Sequence, residues 1–206
     1  MIYFNFKCCQ LSDAVHFPVL IARNVGVSYC KRNTIRFTEK CRHGMLTIGF
    51  NRAHNTGSCS NIVIKGKMVI KGRGTHAFGA GCFIGIGKNG ILEIGDNFGC
   101  TGDSYISVSK HITIGKNNLW SYNNVVMDYD GHSICLRSGE KINHPKEICF
   151  GDNVWMGCGC TILKGSAIPA NTIIASRSMI TKPLDGNNSI ITTQGKVIRE
   201  NIIWKP

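Results

Sequence analysis

Two histidines stand in a polar stretch whose residue types suit acid–base chemistry. The chain has seven histidines, and only His132 and His144 lie in residues 127–149. An imidazole has a pKa near neutrality, so it can take a proton from a hydroxyl group and return it to another atom. Asp128 and Asp130 precede His132 closely enough to orient its ring or to hold a hydroxyl group. His132 and His144 are therefore the candidate acid–base residues, although residue type alone makes a lone loop histidine more typical of a solvated surface residue.

A six-residue repeat surrounds this stretch and must position it. Large apolar residues recur at every sixth position from residue 150 to residue 180, and a small or β-branched residue follows four positions after each of the first five. A period of six fits neither a helix nor simple strand alternation, so it predicts three-sided coils of about eighteen residues. At that size the chain holds about six or seven coils. The two sets are Phe150, Met156, Ile162, Ile168, Ile174 and Ile180, and Val154, Cys160, Ser166, Thr172 and Ser178.

The corners of the predicted coils carry their own signature. An apolar residue followed by glycine, then Asp or Lys, then asparagine occurs at residues 94–97, 114–117 and 150–153. Glycine and asparagine tolerate the left-handed backbone that a tight corner requires. Residues 127–149 interrupt the repeat, and an unstructured loop of that length within a compact domain is usually functional.

Three segments of the repeat carry a family resemblance. Residues 151–157 read Gly-Asp-Asn-Val-Trp-Met-Gly, residues 161–165 read Thr-Ile-Leu-Lys-Gly, and Thr181 precedes Lys182. In these segments the chain resembles the hexapeptide-repeat acyltransferases, particularly those that O-acetylate polysaccharide or lipopolysaccharide. The resemblance covers residues 78–203 and is strongest from residue 114 onward. It implies an all-β fold, a left-handed parallel β-helix, and the left hand follows from the resemblance alone.

The resemblance also implies an activity. A chain of this kind would be an acetyl-CoA-dependent O-acetyltransferase. It would transfer the acetyl group directly from the thioester to a sugar hydroxyl of a surface polysaccharide or its precursor. His132 matches the histidine that acts as general base, and Asn124 matches an asparagine that contacts the acceptor or reacting groups. The family's active sites lie between subunits of a homotrimer, so we expect a homotrimer and a carbohydrate acceptor, with anionic and lipid-linked sugars both open.

The same resemblance implies a groove for coenzyme A. Trp155 matches a tryptophan near the thiol end, and the nucleotide phosphates would pair with the two basic residues near the C-terminus. Two positions depart from the family pattern: Arg177 stands where glycine is usual, and Thr193-Gln194-Gly195 replaces Gly-x-Pro. The residues that match the groove are Trp155, Met156, Gly157, Cys158, Ala175, Ser176, Thr181, Lys182, Lys196 and Arg199.

Three alternatives remain open at this point. One is N-acetylation of a nucleotide-linked amino sugar, and another is a non-catalytic trimeric glycan-binding scaffold. The third is a metal enzyme like the γ-class carbonic anhydrases, but His111, His132 and His144 do not match its ligand spacing. We therefore predict no metal.

The charge of the chain limits its partners. The formal net charge is +12, and most of the excess lies in the first half. No nucleic-acid motif accompanies this charge, so we do not expect nucleic acid as a partner. Two interpretations stay open: a merely solvated basic face, or attraction to an acidic substrate with, at most, peripheral membrane association. The basic residues are Lys31, Arg32, Arg36, Lys40, Arg42, Arg52, Lys65, Lys67, Lys71 and Arg73.

The chain divides into three predicted parts. Residues 1–60 form an N-terminal extension that caps the first coil, residues 61–186 form the β-helix with loop 127–149, and residues 187–206 form a C-terminal segment with a short helix over the last coil. We expect no signal peptide and no membrane span. The eleven cysteines lack disulfide-framework spacing, which favours free thiols in a cytoplasmic protein.

Overall fold

The computed structural model describes residues 2–50 and 58–204. Two short helices, α1 (Ile2–Cys8) and α2 (Leu11–Ala14), come first, and strands follow. One 3-10 turn, Thr193–Gly195, stands near the C-terminal end. The strands are β1 (Val19–Ile21), β2 (Val25–Tyr29), β3 (Ile35–Phe37), β4 (Leu46–Phe50), β5 (Ser60–Ile64), β6 (Lys67–Ile70), β7 (His76–Gly79), β8 (Phe83–Ile86), β9 (Ile91–Ile94), β10 (Phe98–Gly102), β11 (Tyr105–Val108), β12 (His111–Ile114), β13 (Leu119–Tyr122), β14 (Val125–Met127), β15 (Ile148–Phe150), β16 (Trp155–Met156), β17 (Thr161–Leu163), β18 (Ala167–Ile168), β19 (Ile173–Ile174), β20 (Met179–Ile180), β21 (Ile190–Ile191) and β22 (Val197–Arg199).

The strands form three parallel sheets around a three-sided prism. Sheet A runs β1-β4-β7-β10-β13-β16-β19-β21, sheet B runs β2-β5-β8-β11-β14-β17-β20, and sheet C runs β3-β6-β9-β12-β15-β18. Through most of the chain each strand pairs with the third strand after it, so the chain turns three corners and returns to the same sheet one layer higher. The exception is β19, which pairs with β21. The predicted stack of three-sided coils is therefore confirmed.

The inward side chains of successive coils lie directly above one another. Val126 pairs with Ile162, which pairs with Ile180, and all three side chains are fully buried. Across the core between sheets A and C, the rings of Phe98, Trp120 and Phe150 contact in sequence, at centroid distances of 5.1 and 4.8 Å. Fully burying one such side chain contributes roughly 1.5–3 kcal/mol, so the repeat is the main source of stability.

An asparagine ladder runs along the corner between sheets C and A. Asn97, Asn117, Asn153 and Asn171 all have φ between 54° and 56°. Each side-chain amide donates to the next asparagine oxygen, at 3.1, 3.1 and 2.9 Å. Asparagine tolerates this left-handed backbone better than other residues with a side chain. The ladder explains why the corner signature ends in asparagine.

The coils begin earlier in the chain than residue 61. Strand β1 pairs with β4, β2 with β5 and β3 with β6, all in parallel, so residues 19–50 already wind around the prism. The expectation that residues 1–60 lie outside the repeat is therefore wrong for this range, because its corners are longer and break the six-residue period. Residues 51–57, which include Arg52, lie outside the described residues.

The C-terminal segment contains a strand where a short helix was expected. Strand β22 pairs antiparallel with β21, with Ile190 opposite Arg199. The helix prediction is wrong because the last sheet strand offers a free edge, and β-branched Val197 and Ile198 suit a strand that covers it.

One pair of cysteines departs from the expectation of free thiols. Cys8 and Cys30 form a disulfide that ties α1 to the residue after β2. The sequence does not reveal this pair because 22 positions separate the two residues. Among the described residues the other nine cysteines form no disulfide, and the buried Cys82 and Cys100 sulfurs lie 3.9 Å apart. The prediction of free thiols is therefore wrong for Cys8 and Cys30, and these two cysteines give no support to a reducing compartment.

His76 should make the stability of the fold depend on pH. Its ring is fully buried in β7, neither ring nitrogen has a partner among the described residues, and burial lowers its pKa from 6.5 to about 4. The unfolded chain therefore binds this proton at a higher pH than the folded chain. As pH falls from 6.5 to about 4, the free energy of unfolding should fall by on the order of 3 kcal/mol from this group.

Urea unfolding at a series of pH values tests this expectation. The His76→Leu variant should lose that part of the pH dependence, whereas the exposed-residue control His43→Gln should keep it. Equal slopes of unfolding free energy against pH in His76→Leu and the wild type would contradict the assignment.

Candidate active site

The interruption of the repeat is a loop that leaves one corner of the prism. It spans residues 128–147, between β14 and β15, at the corner between sheets B and C. The buried Asp128 carboxylate holds its base by accepting from three backbone N–H groups, those of Ser109 at 2.6 Å, Lys110 at 2.7 Å and His111 at 2.8 Å. Burial raises the pKa of Asp128, while these bonds counteract the shift. Asp128 therefore anchors the loop rather than orienting the His132 ring.

Asn143 organises the interior of the loop. Its side-chain oxygen accepts from the backbone N–H of Ile134 at 2.7 Å. Its amide nitrogen donates to the carbonyl oxygen of His132 at 2.7 Å and to the carboxylate of Asp130 at 2.9 Å. Asn143 is buried, although most of its neighbours in the loop are exposed. Sequence reasoning missed this residue, and the only signal was that asparagine lay within a long loop.

His132 opens onto a cleft at the side of the loop. The cleft has a volume of about 260 Å³ and is lined by His132, Asp130, Lys141 and Tyr129, among others. Asp130 forms an ion pair with Lys164 of the next coil, and the hydrogen bond from Lys164 lowers the pKa of Asp130. The cleft therefore holds the exposed His132 imidazole, the Asp130 carboxylate and the Lys141 side chain within one loop. The Lys164 ammonium reaches Asp130 from the next coil.

Asn124 lies inside the coil and does not reach this cleft. Its side chain is fully buried, with its oxygen accepting from the Cys160 N–H at 2.8 Å and its amide donating to the Ser121 carbonyl at 2.8 Å. The expectation that Asn124 contacts the acceptor is corrected, because both ends of its amide are engaged with backbone groups. It instead joins two successive corners.

The residues expected at the thiol end of coenzyme A lie at the corner between sheets A and B. Trp155 is 39% exposed, whereas the Met156 side chain is fully buried, so Met156 could contribute only backbone. A Cβ on Gly157 would come within 2.7 Å of the Ser176 nitrogen, so glycine is needed there for the coils to approach. A hydrogen bond with the Ser176 hydroxyl lowers the pKa of the Cys158 thiol, and one with the Tyr122 hydroxyl adds a smaller effect in the same direction.

The residues expected at the phosphate end are exposed and cationic. Lys182, Lys196 and Arg199 are all exposed, and none pairs with a carboxylate in the described part of the chain. Lysine and arginine free of carboxylates suit phosphate groups. Their role at the nucleotide end of coenzyme A stays a prediction. Thr181 is also exposed, and it follows β20 at the corner where Lys164 stands.

Within one chain, the His132 cleft and the Cys158 corner lie on opposite edges of sheet B. Strand β17 (Thr161–Leu163) runs from one to the other, a span of roughly 10 Å. Ala175 lies on the Cys158 side, where its carbonyl accepts from Ser178. The structure thus brings Asp130 and His132 together, and separately Cys158 and Ser176, but not the two sets with each other.

The C-terminal segment adds a second tryptophan beside Trp155. The ring centroids of Trp155 and Trp204 are 6.2 Å apart, and the Trp204 indole donates to the Asn153 carbonyl at 2.6 Å. Sequence reasoning gave Trp204 no role. Trp155 is therefore flanked by the tail that carries Lys196 and Arg199.

Two further properties bear on the kind of site. The described residues contain no group of three His, Cys, Asp or Glu side chains arranged to hold a metal ion. In residues 2–50 and 58–204, no helix is long and apolar enough to cross a membrane.

The fold and its extruded loop define a left-handed parallel β-helix protein. A crystal structure of the polysialic acid O-acetyltransferase OatWY matches with a TM-score of 0.50 and 21% identity, covering 91% of this chain and 90% of that chain. This likeness confirms the predicted fold, including its hand.

Comparison with curated proteins narrows the resemblance to O-acetyltransferases. The chain is 35% identical over 105 residues to the polysialic acid O-acetyltransferase of Neisseria meningitidis, covering 50% of this chain and 49% of that protein. It is 32% identical over 112 residues to the galactoside O-acetyltransferase of Escherichia coli K12, covering 53% and 54%. The chain thus spans about half the length of the curated relatives it matches. No family model matches the chain.

Replacing Asp128 should loosen the base of the loop. An asparagine at this position presents an amide to backbone N–H groups that need acceptors, so Asp128→Asn should lower the free energy of unfolding by about 1–3 kcal/mol. The matched variant Asp130→Asn removes an exposed carboxylate and should cost less than about 1 kcal/mol. Urea unfolding at pH 7 measures both. Equal losses in the two variants would contradict the anchoring role of Asp128.

Proposed function

We propose that the chain is an acetyl-CoA-dependent O-acetyltransferase that acts on a sugar hydroxyl of a polysaccharide or its precursor. The observation that carries the proposal is the exposed His132 in a loop held to the prism by Asp128 and Asn143. The similarity to polysialic acid and galactoside O-acetyltransferases supports both the reaction and the class of acceptor.

In the proposed reaction His132 serves as the base and then as the acid. A ring nitrogen accepts the proton of the acceptor hydroxyl while its oxygen forms a bond to the thioester carbonyl carbon. Backbone N–H groups stabilise the tetrahedral oxyanion. As the carbon–sulfur bond breaks, the imidazolium returns its proton to the departing sulfur. The products are an O-acetyl sugar and coenzyme A thiol, and no residue of the chain is acylated.

Asp130 and Lys164 support the cleft rather than react. Their ion pair joins the loop to the following coil, and Asn143 links the Asp130 carboxylate to the His132 backbone. This chain of contacts fixes where the His132 backbone lies. The ring remains free to turn toward an acceptor, because the Asn143 contact to His132 uses only its carbonyl oxygen.

A homotrimer would complete the site in this proposal. The His132 cleft and the Cys158 corner lie on opposite edges of sheet B in one chain, so a neighbouring copy could bring its own corner to the loop. Coenzyme A would then lie along Trp155, Gly157, Cys158 and Ser176, with its phosphates near the basic tail. The cytoplasmic location remains a prediction.

Replacing the proposed base tests the function directly. His132→Ala should lower the turnover of acetyl transfer by roughly 10²–10⁴, because the acceptor proton loses its base. His144→Ala, in the same loop and also exposed, is the matched control and should stay close to the wild type. Thiol release from acetyl-CoA with galactoside and sialic acid oligomer acceptors measures both variants.

The same assay separates the alternatives. Turnover of His132→Ala close to that of the wild type would remove this residue from the mechanism. Transfer to an amino sugar but to no hydroxyl acceptor would favour N-acetylation. Failure of the wild type to bind coenzyme A in calorimetry would favour a glycan-binding scaffold without catalysis.

A further inference from the structure

A groove of about 340 Å³ lies on the outer face of sheet B, beside the His132 cleft. Phe83 and Tyr105 form its floor, with ring centroids 4.6 Å apart and planes 10° from parallel. Gly85 makes this arrangement possible, because a Cβ there would come within 2.6 Å of the Phe83 ring. Tyr105 remains 39% exposed. The face thus presents a flat aromatic shelf to solvent.

Polar groups border the shelf on the side of the loop. The Ser107 hydroxyl and the Tyr129 hydroxyl are 2.9 Å apart and hydrogen-bonded. Tyr129 and Ser109 line both this groove and the His132 cleft, so the two cavities share one wall. A long ligand bound on the shelf would therefore extend into the cleft that His132 lines.

Lysines border the shelf on the other side. Lys65 lines the groove, and its ammonium lies 5.9 Å from the centre of the Tyr29 ring. The Lys31 ammonium lies 5.5 Å from the same ring. Neither lysine forms an ion pair with a carboxylate among the described residues. The end of the face away from the loop is therefore positively charged.

We propose that this face, defined by Tyr29, Lys65, Phe83, Tyr105 and Tyr129, binds a chain of acidic sugars and feeds it to His132. Aromatic rings offer apolar faces to the C–H surfaces of sugar rings, and lysines bind carboxylates. From β2 to β14 the face crosses four strand spacings, roughly 19 Å. That length suits several linked sugars rather than a single one. The proposal rests on the proposed function only in taking sugar chains as the acceptor.

The chemistry of the face favours a glycan over a second copy of the chain. Interfaces between protein subunits are depleted in lysine, particularly at their centres. Here Lys65 lines the groove itself, and hydroxyl groups of Ser107 and Tyr129 lie along its wall. Linked acidic sugars offer both carboxylates for the lysines and hydroxyls for these partners.

Calorimetry without coenzyme A tests the proposal on the full chain. The probes are a sialic acid oligomer and a maltooligosaccharide of the same length. The wild type should bind the acidic oligomer more tightly, and added salt should weaken that binding. Lys65→Gln should weaken binding of the acidic oligomer about threefold to fivefold and leave the neutral oligomer unchanged. Tyr105→Ala should weaken binding of both.

Lys67→Gln is the matched control. Lys67 is exposed and stands two positions after Lys65, but it lies in β6 on sheet C. Its replacement should leave both affinities unchanged. Equal effects of Lys65→Gln and Lys67→Gln, or none from either, would overturn the proposal.

Sedimentation of Tyr105→Ala tests the competing occupant. If Tyr105→Ala changes the number of protein copies in the assembly but leaves binding of the sugar oligomers unchanged, the face belongs to a second copy and the proposal is overturned. Because binding is measured without acetyl transfer, a wild type that binds the acidic oligomer but releases no thiol would disprove only the enzyme function.

Discussion

The structure depends on backbone pairing between one coil and the next. The N–H of Tyr105 donates to the Asn124 carbonyl one layer on, at 2.7 Å, and the N–H of Val125 donates to the Cys160 carbonyl at 2.8 Å. This pairing requires each coil to repeat the shape of its neighbour, so apolar side chains stack into columns and corners stack into ladders. An insertion is tolerated only where it leaves the prism at a corner, as residues 128–147 do.

That constraint explains how the loop becomes a site. Because the strands on either side remain in register, the loop base is rigid, and the corner before it presents three consecutive N–H groups to Asp128. Asn143 then fixes the backbone of His132 by donating a hydrogen bond to its carbonyl oxygen. The buried residues hold the loop, while the exposed ones remain available for chemistry. Asp128 and His132 are four positions apart in sequence but have different tasks for this reason.

Much of the fold could be predicted because the repeat appears directly in the sequence. From residue 150 to residue 180 the period is unbroken, and its members from Phe150 to Ile180 are buried as expected. The first coils were missed because long corners interrupt their six-residue period. Strand β22 was missed because it forms by pairing with the edge of a sheet, and the local sequence does not show that edge. Within the candidate site, Asp130 and His132 could be named in advance because they stand close together in the sequence and because the segment resembles a known family. Asn143 and Lys164 were missed because only the folded chain brings them to the loop.

A structure of the full assembly with coenzyme A and a sialic acid oligomer tests the central claim most directly. We expect the sulfur of coenzyme A and an acceptor hydroxyl to meet beside the His132 ring, the hydroxyl about 2.6–3.2 Å from a ring nitrogen. A coenzyme A thiol bound far from every copy of His132, with another residue facing the acceptor, would contradict it.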